Sequence, residues 1–269
     1  MRIKVFLRKI GRIFLIQWST IVQYRIDTVL WAVSEAAAPL VAMAVWYRVA
    51  QGSSGTFTSQ DAVTYYVFVI FVYAITNAWN GFFVAQEILN GKIVQYLVQP
   101  VMPLWYHITD NIVEKALKLA IPLPIFMLVL IVFPSFFSSA IYEPLNIVLF
   151  AISLALAVVI HFTFDISLGM AAFWLEDALQ LRGYSILLQQ VTAGILIPYA
   201  LLPATLVTVF SFLPFRYMVS APIELLMGQV QGGAAVALLL AQVAWMAGLL
   251  IAARVLWVNG LRRYAVPGQ

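Results

Sequence analysis

Cysteine is absent from this sequence of 269 residues, and histidine occurs only twice, as His107 and His161. The lack of cysteine excludes disulfide frameworks, thiolate nucleophiles, thiolate zinc sites and cysteine-ligated iron–sulfur clusters. Two imidazoles are too few for a histidine-rich metal site. The sequence also has no GxxxxGK(S/T) phosphate loop and no GxSxG, HExxH or GxGxxG motif. We therefore expect the chain itself to bind no cofactor and to catalyse no reaction.

Charge is scarce as well. Lysine and arginine number 15 and aspartate and glutamate 11, so only 10% of the residues are charged while 64% are hydrophobic. Soluble globular proteins carry about 25% charged residues. This scarcity excludes a soluble enzyme, a disordered regulator and a nucleic-acid-binding protein. We predict an all-α polytopic membrane protein, in which the net charge of +4 reflects basic loops that face anionic lipid.

Six apolar stretches are long enough, at about 20 residues each, to cross a bilayer as helices. We predict spans over residues 28–49, 62–84, 112–133, 145–168, 184–202 and 234–257. Cytoplasmic loops are enriched in lysine and arginine, and this distribution sets the orientation. All of the 15 basic residues except Arg48 and Arg216 fall in segments that would share one side. We therefore predict that both termini are cytoplasmic.

Residues 1–25 contain six basic residues with apolar residues at helical spacing between them. This pattern predicts an amphipathic interfacial helix on the inner membrane surface, with its basic face toward the headgroups. A cleaved signal peptide is the competing interpretation. Gln17 interrupts the apolar run, no small-residue cleavage site follows, and Arg25 and Asp27 come next, which favours the amphipathic helix.

Residues 203–233 do not fit a span. Pro203, Pro214 and Pro222 interrupt the apolar part, which also contains Arg216 and Glu224. A complete seventh span here would move the C-terminal arginines outside, against the charge distribution. We predict broken re-entrant helices that dip in from the outer face between spans five and six, packed against protein or lining a wet cavity.

Two carboxylates fall inside predicted spans, where an ionisable residue is by default a candidate for function. Glu35, in the first span, is either a cavity-lining or gating group or a residue that snorkels or bonds to a neighbouring helix. Asp165 lies near the inner end of the fourth span, with His161 one turn earlier on the same face. The two are either a proton relay or a structural contact.

A polar stripe of Asn77, Asn80 and Gly81 lies on the second span. Such a stripe either lines a translocation path or holds helices together by hydrogen bonding and close approach. The two asparagines, together with Glu35 and Asp165, are our candidates for a translocation path or gate.

The most informative segment is the cytoplasmic loop 85–111, which is longer than a simple turn between helices. Ile88, Ile93 and Leu97 provide the apolar positions of a short helix across the inner face, with a bend at Gly91 and a stop at Pro100. This helix is either a plain interfacial helix or a docking element for a cytoplasmic partner.

The segment Glu87…Gly91-Lys92-Ile93…Leu97…Pro100 resembles the acidic–x–x–x–Gly–x–(Leu/Ile)…Leu–x–x–Pro signature of type-2 ABC exporter permeases. The resemblance is to small six-span bacterial permeases that work with a separate ATPase. Residues 172–177 are similar to the inner loop after span four of that branch. Residues 194–203, Leu213-Pro214-Phe215 and Pro222…Gly228 are similar to its outer region. The stretch Asn90-Gly91-Lys92 departs from the branch, which is more variable and acidic there.

The resemblance implies a half-transporter in the bacterial cytoplasmic (inner) membrane. Two permease chains, identical or different, would pair among the membrane lipids, and two ABC ATP-binding subunits would dock beneath them. ATP and Mg would be bound by those partner subunits, and nucleic acid would have no part. The amphipathic start would be the connecting helix.

The resemblance also implies roles for particular residues. The coupling helix would contact the ATPase through Gln86, Glu87, Gly91, Lys92, Leu97 and Pro100. The broken region that caps the exit side would be shaped by Pro198, Pro203, Pro214 and Pro222.

Two other functions stay open on the sequence alone. One is an ion-coupled secondary carrier or channel that uses Glu35, His161 or Asp165, and its mark would be gradient-driven flux without an ATPase. The other is a membrane scaffold or biogenesis factor that transports nothing. The substrate is also open, since a lipid-linked glycan, a drug, a peptide and a pigment all suit an apolar path.

Overall fold

The computed structural model describes residues 2–52, 57–99, 102–120 and 122–264. Across these residues the chain forms twelve α-helices and several short 3₁₀ turns, and no strand. The first six helices are α1 (Arg2–Gln23), α2 (Arg25–Gly52), α3 (Ser59–Thr76), α4 (Asn80–Leu89), α5 (Ile93–Leu97) and α6 (Leu104–Ala120). The other six are α7 (Pro122–Val132), α8 (Pro144–Met170), α9 (Ala178–Thr192), α10 (Ala204–Ser211), α11 (Ser220–Leu226) and α12 (Gly232–Tyr264).

Four helical segments are long and apolar enough to cross a membrane: Arg25–Gly52, Ser59–Leu89, Pro144–Phe173 and Gly232–Arg263. The pair α6 and α7, inclined at 46°, makes a fifth if it is one bent span. The six predicted spans are therefore not confirmed among the described residues. The sequence around the predicted fifth span, 184–202, explains the difference. Helix α9 ends at Thr192. Gly194, which has a φ of 82°, and Pro198 follow it, and neither residue favours continuation of the helix.

Helix α8 is the centre of the molecule and packs against α12, α4, α11 and α3. One apolar cluster surrounds α3, α8 and α11, and a second lies between α4 and α8. By contrast, α7 has no buried residue, and large apolar side chains on α2 and α12, such as Val41 and Ile251, are exposed. Such exposed apolar faces suit contact with lipid chains, and the chain is a membrane protein.

The predicted amphipathic helix corresponds to α1, which packs against α6. Ile13 is buried in that contact while Arg8 and Arg12 are exposed. Helix α1 is followed directly by α2, with a turn at Tyr24. The position of α1 on the inner membrane surface stays a prediction.

Residues 203–233 contain short helices rather than one long one. Pro203 precedes α10, Pro214 precedes the 3₁₀ turn Phe215–Met218, and Pro222 lies in the first turn of α11. These positions suit proline, because the first turn of a helix has no internal partner for its N–H groups. Every residue of α11 is buried. Helix α11 is thus packed against protein, whereas α10 has no buried residue. The place of the segment on the outer face stays a prediction.

Candidate functional site

The second predicted span is interrupted between α3 and α4. Helix α3 ends at Thr76 and α4 begins at Asn80, and Asn77 between them is extended, with φ of −54° and ψ of 141°. Asparagine and glycine are weak helix formers, so the polar stripe Asn77, Asn80 and Gly81 marks the interruption in the sequence. A break within a span frees backbone groups that need other partners.

Asp165 and Arg182 supply those partners. One carboxylate oxygen of Asp165 accepts a hydrogen bond from the Gly81 N–H at 2.6 Å, while Arg182 Nη2 donates to the Ala78 carbonyl at 3.0 Å. The two side chains also pair with each other, with Arg182 Nε 2.8 Å from Asp165 Oδ1. The guanidinium lies 4.4 Å from the centre of the Trp79 ring, a cation–π contact. Both charged residues are buried.

A second ion pair, in which Lys118 is buried and its carboxylate partners are partly buried, also contacts the break. Lys118 Nζ is 3.1 Å from Glu35 and 2.8 Å from Glu114. The same oxygen of Glu35 accepts hydrogen bonds from Asn77 Nδ2 at 3.0 Å and from Trp79 Nε1 at 3.1 Å. This pair joins α2 and α6 to the break, and the extra hydrogen bonds offset the cost of removing the charges from water.

A chain of side-chain hydrogen bonds extends from the first residue of α4 along α6. Asn80 Nδ2 donates to Asp110 at 3.0 Å, Asn111 donates to Asn80 at 2.9 Å, and Lys115 donates to Asn111 at 2.6 Å. We call the whole network the break cluster; it consists of Glu35, Asn77, Trp79, Asn80, Asp110, Asn111, Glu114, Lys115, Lys118, Asp165 and Arg182.

The break cluster brings together the four residues predicted for a path or gate: Glu35, Asn77, Asn80 and Asp165. Their role in a path stays a prediction. His161, the other half of the suggested relay, packs its ring 6.3 Å from that of Tyr73, while the Asp165 oxygens are bonded to Gly81 and Arg182.

Lys118 and Arg182 were missed as members of this site. In the sequence they count as basic residues of the inner loops, yet the structure buries both, at 7% and 6% exposure. The sequence carried a signal for Lys118, which falls inside the third predicted span, where an ionisable residue is a candidate for function. Arg182 precedes the fifth predicted span and carried no such signal.

The predicted coupling loop contains a short helix, α5, that follows a tight turn. Gly91 has a φ of 73° in that turn, a left-handed conformation that glycine adopts without strain. Ile93 is buried, whereas Gln86, Gly91, Lys92 and Leu97 are exposed or partly exposed. Pro100 lies outside the described residues.

Contacts with the start of α6 hold both α5 and the end of α4 in place. Glu87 is 3.2 Å from His107 Nε2, and the rings of Tyr96 and Tyr106 lie 5.5 Å apart. Burial, aided by the negative charge of Glu87, raises the pKa of the Tyr96 hydroxyl above its ordinary value. An exposed apolar surface remains around α5, formed by Leu89, Val94, Leu97, Val98 and Met102; we call it the docking surface.

The family model described as ABC-2 family transporter protein matches residues 33–268 of this chain. The chain belongs to this family. No curated protein matches the sequence. As a member of the family, the chain is the permease component of an ABC transporter, the membrane part and not the ATPase, and it associates with an ABC ATP-binding subunit.

The permease has another buried ion pair, far from α5, in the proline-rich part. Arg216 Nη2 is 2.5 Å from Glu224, and Glu224 also accepts a hydrogen bond from the Ser220 hydroxyl at 2.5 Å. Arg216 lies 4.6 Å from the centre of the Tyr199 ring, which follows Pro198. Burial opposes the charge of Arg216, but the hydrogen bond and attraction of Glu224 outweigh it and raise the pKa of the guanidinium.

Two cavities border α6 of the permease. One, of about 490 Å³, lies among α1, α2, α4 and α6. Its lining includes aromatic rings and four members of the break cluster: Trp79, Asp110, Glu114 and Lys118. The other, of about 420 Å³, lies among α4, α6, α8 and α12, and is mainly apolar with Arg254 at its side. Within the described residues, no three His, Asp or Glu side chains are grouped closely enough to hold a metal ion.

Proposed function

We propose that this permease is half of the membrane path of an ATP-driven exporter. Two permease chains, identical or different, form the path, and two ABC ATP-binding subunits dock on their cytoplasmic side. Those subunits hold ATP and Mg, since the permease has no phosphate loop. In this proposal the chain resides in a bacterial cytoplasmic membrane with both termini in the cytoplasm.

The docking surface carries this proposal. Val98 is 80% exposed and Val94 is 49% exposed, in a short loop that also exposes the polar Lys92 and Gln95. An apolar patch rimmed by polar side chains is typical of a protein–protein interface. Because the family works with an ATP-binding subunit, that subunit is the partner we assign to the patch.

The connection from α5 to the rest of the chain suits transmission of movement. ATP binding can drive transport only if it favours one packing of the permease over another. Ile93 anchors α5 in the apolar cluster between α4 and α8. The Tyr96–Tyr106 contact joins α5 to α6, and the Glu87–His107 contact joins the end of α4 to α6. A displacement of α5 would therefore reach three helices.

The path in this proposal includes the inner cavity of about 490 Å³. Glu35, Asn77, Asn80 and Asp165 belong to the same network as four residues that line that cavity: Trp79, Asp110, Glu114 and Lys118. We propose that they form a gate beside it, since their side chains tie α2, α4, α6 and α8 together at one level. The prolines Pro198, Pro203, Pro214 and Pro222 shape the cap on the exit side.

Co-purification with the ATP-binding subunit tests the docking surface. Val98→Asp places a charge in the interface, and we expect retention of the subunit to fall about tenfold or more, because burying one large apolar side chain contributes about 1.5–3 kcal/mol. ATP hydrolysis by the purified complex should fall in parallel.

The matched control is Leu175→Asp, which changes an exposed apolar residue, 49% exposed, in the loop between α8 and α9. We expect this variant to retain the subunit. Full retention by Val98→Asp, or equal loss in both variants, would contradict docking at α5.

A further inference from the structure

Helices α4 and α8 approach each other more closely than side chains would allow. A Cβ atom on Gly81 would overlap the backbone carbonyl of Asp165, and one on Gly169 would overlap the backbone of Gly81. Two glycines therefore face each other across this contact. The Gly81–Asp165 hydrogen bond, at 2.6 Å, lies within it.

Partners from different helices hold the two sides of the break. The side chains of Asn77 and Trp79 are bound by Glu35 on α2. The Ala78 carbonyl is bound by Arg182 on α9, and the first turn of α4 by Asp165 on α8. Thus the side chains of Asn77 and Trp79 take a different partner from the backbone of Ala78 and Gly81, at a point where the span has no continuous helical hydrogen bonding. Helices α3 and α4 both pack against α8.

The contact between α4 and α8 continues toward the docking surface. Val84 and Ile88 of α4 and Ile93 of α5 share one apolar cluster with Ile166 and Met170 of α8. A helix that is clamped at its start and packed along its length moves with its neighbour, because packed interiors transmit displacement rather than absorb it.

We propose that Asp165 and Arg182 are positioning residues for coupling: they clamp α4 and α5 to α8 and α9 as one rigid body, and residues 77–79 form the hinge between this body and α3. The inference rests on the proposed function, because it takes α5 to be where the ATP-binding subunit acts. The ion pair contributes to coupling because it binds the backbone groups of Ala78 and Gly81 that the break leaves without helical partners.

Amide hydrogen exchange of the full chain in lipid nanodiscs tests the clamp without any partner. Asp165→Asn removes the negative charge of the carboxylate to which both Arg182 and the Gly81 N–H donate hydrogen bonds. We expect residues 78–89 to exchange about tenfold faster or more, since local opening is governed by the stability of that unit, while residues 59–76 exchange as in the original chain. Asp165→Glu, which keeps the charge, should restore part of the protection.

The matched control is Glu224→Gln, which neutralises a buried carboxylate paired with arginine far from the break. It should leave exchange at 78–89 unchanged. Unchanged exchange at 78–89 in Asp165→Asn, or equal acceleration in Glu224→Gln, overturns the clamp.

Coupling is tested in the complex with the ATP-binding subunit. Because the chain has no cysteine, Gln229→Cys gives a single site for an environment-sensitive fluorophore at an exposed position beyond α11. In the otherwise unaltered chain we expect ATP to change the fluorescence. In Asp165→Asn the change should be lost while ATP hydrolysis stays within about twofold, which a globally unfolded variant would not retain.

The two proposals fail differently. If ATP changes no fluorescence in the otherwise unaltered chain, movement of the region beyond α11 on ATP binding is contradicted; co-purification still decides docking at α5, and hydrogen exchange still decides the clamp. If ATP changes the fluorescence equally in the chain that keeps Asp165 and in the Asp165→Asn variant, docking stands and the clamp has no part in coupling.

Discussion

The permease has two buried arginine–carboxylate pairs that differ in what they join. Arg182 pairs with Asp165 of another helix and reaches a carbonyl 104 positions away in the chain. Arg216 pairs with Glu224, eight positions away, and bonds to Ser211 within the same segment. The first pair determines how separate helices sit around a break, whereas the second determines the shape of one folded segment. Two ion pairs of similar chemistry therefore differ in how far along the chain their structural effects extend.

Arg182→Met should show the largest effect of the changes considered. It leaves Asp165 buried without a cationic partner and the Ala78 carbonyl without its donor, and removing one partner of a buried pair costs about 3–5 kcal/mol. Unfolding of the chain in nanodiscs, followed by denaturant titration, measures the loss. A loss of unfolding free energy smaller than that of the corresponding change at Arg216 would contradict the longer range assigned to the Arg182–Asp165 pair.

Arg216→Met is the matched change in the proline-rich segment. Glu224 keeps its hydrogen bond from the Ser220 hydroxyl at 2.5 Å, so we expect a smaller loss of about 2–3 kcal/mol. Hydrogen exchange should rise in 211–224 and stay unchanged in 78–89. Faster exchange spreading to α4 would show that the second pair also has long-range consequences.

Gly81→Ala tests the close approach at the break. The added methyl group overlaps the backbone of Asp165, and overpacking typically costs about 1–3 kcal/mol. Gly183→Ala is the control, since a Cβ there meets nothing within 4 Å and alanine stabilises a helix by up to about 1 kcal/mol. Denaturant titration should give opposite signs for the two, and the same sign would argue against a tight α4–α8 contact.

Gly91→Ala should have the smallest effect on stability. The φ of 73° costs a residue with a Cβ about 1–2 kcal/mol, and an exposed turn relaxes part of that strain. The change should nevertheless reduce co-purification of the ATP-binding subunit, because the turn orients α5. Normal co-purification together with normal ATP hydrolysis would show that the orientation of the turn is unimportant.

The long apolar spans were predictable from the sequence. The predictions 28–49, 145–168 and 234–257 lie within α2, α8 and α12, since a run of apolar residues of membrane length is a local property. The third span was harder to delimit. Its helix α6 begins at Leu104, well before the predicted start at residue 112, because Asp110 made the first turns of the helix appear polar.

The interruption of the second span was only partly predictable. Asn77, Asn80 and Gly81 indicated a polar stripe, but the same residues are compatible with a stripe on a continuous helix and with a break in the helix. The break is stable here because Asp165 and Arg182, distant in the chain, bind the freed backbone groups. Whether such partners exist depends on which helices are neighbours.

Composition, apolar run length and motif order were enough to predict a helical membrane protein of the ABC-2 type, because none of them depends on contacts between helices. The pairing of charges, Lys118 with Glu35 and Arg182 with Asp165, became known from the packing of the helices. In an apolar medium a charge is retained only beside its partner. Packing of the helices therefore brought charges from spans and from predicted inner loops together in one network at the break.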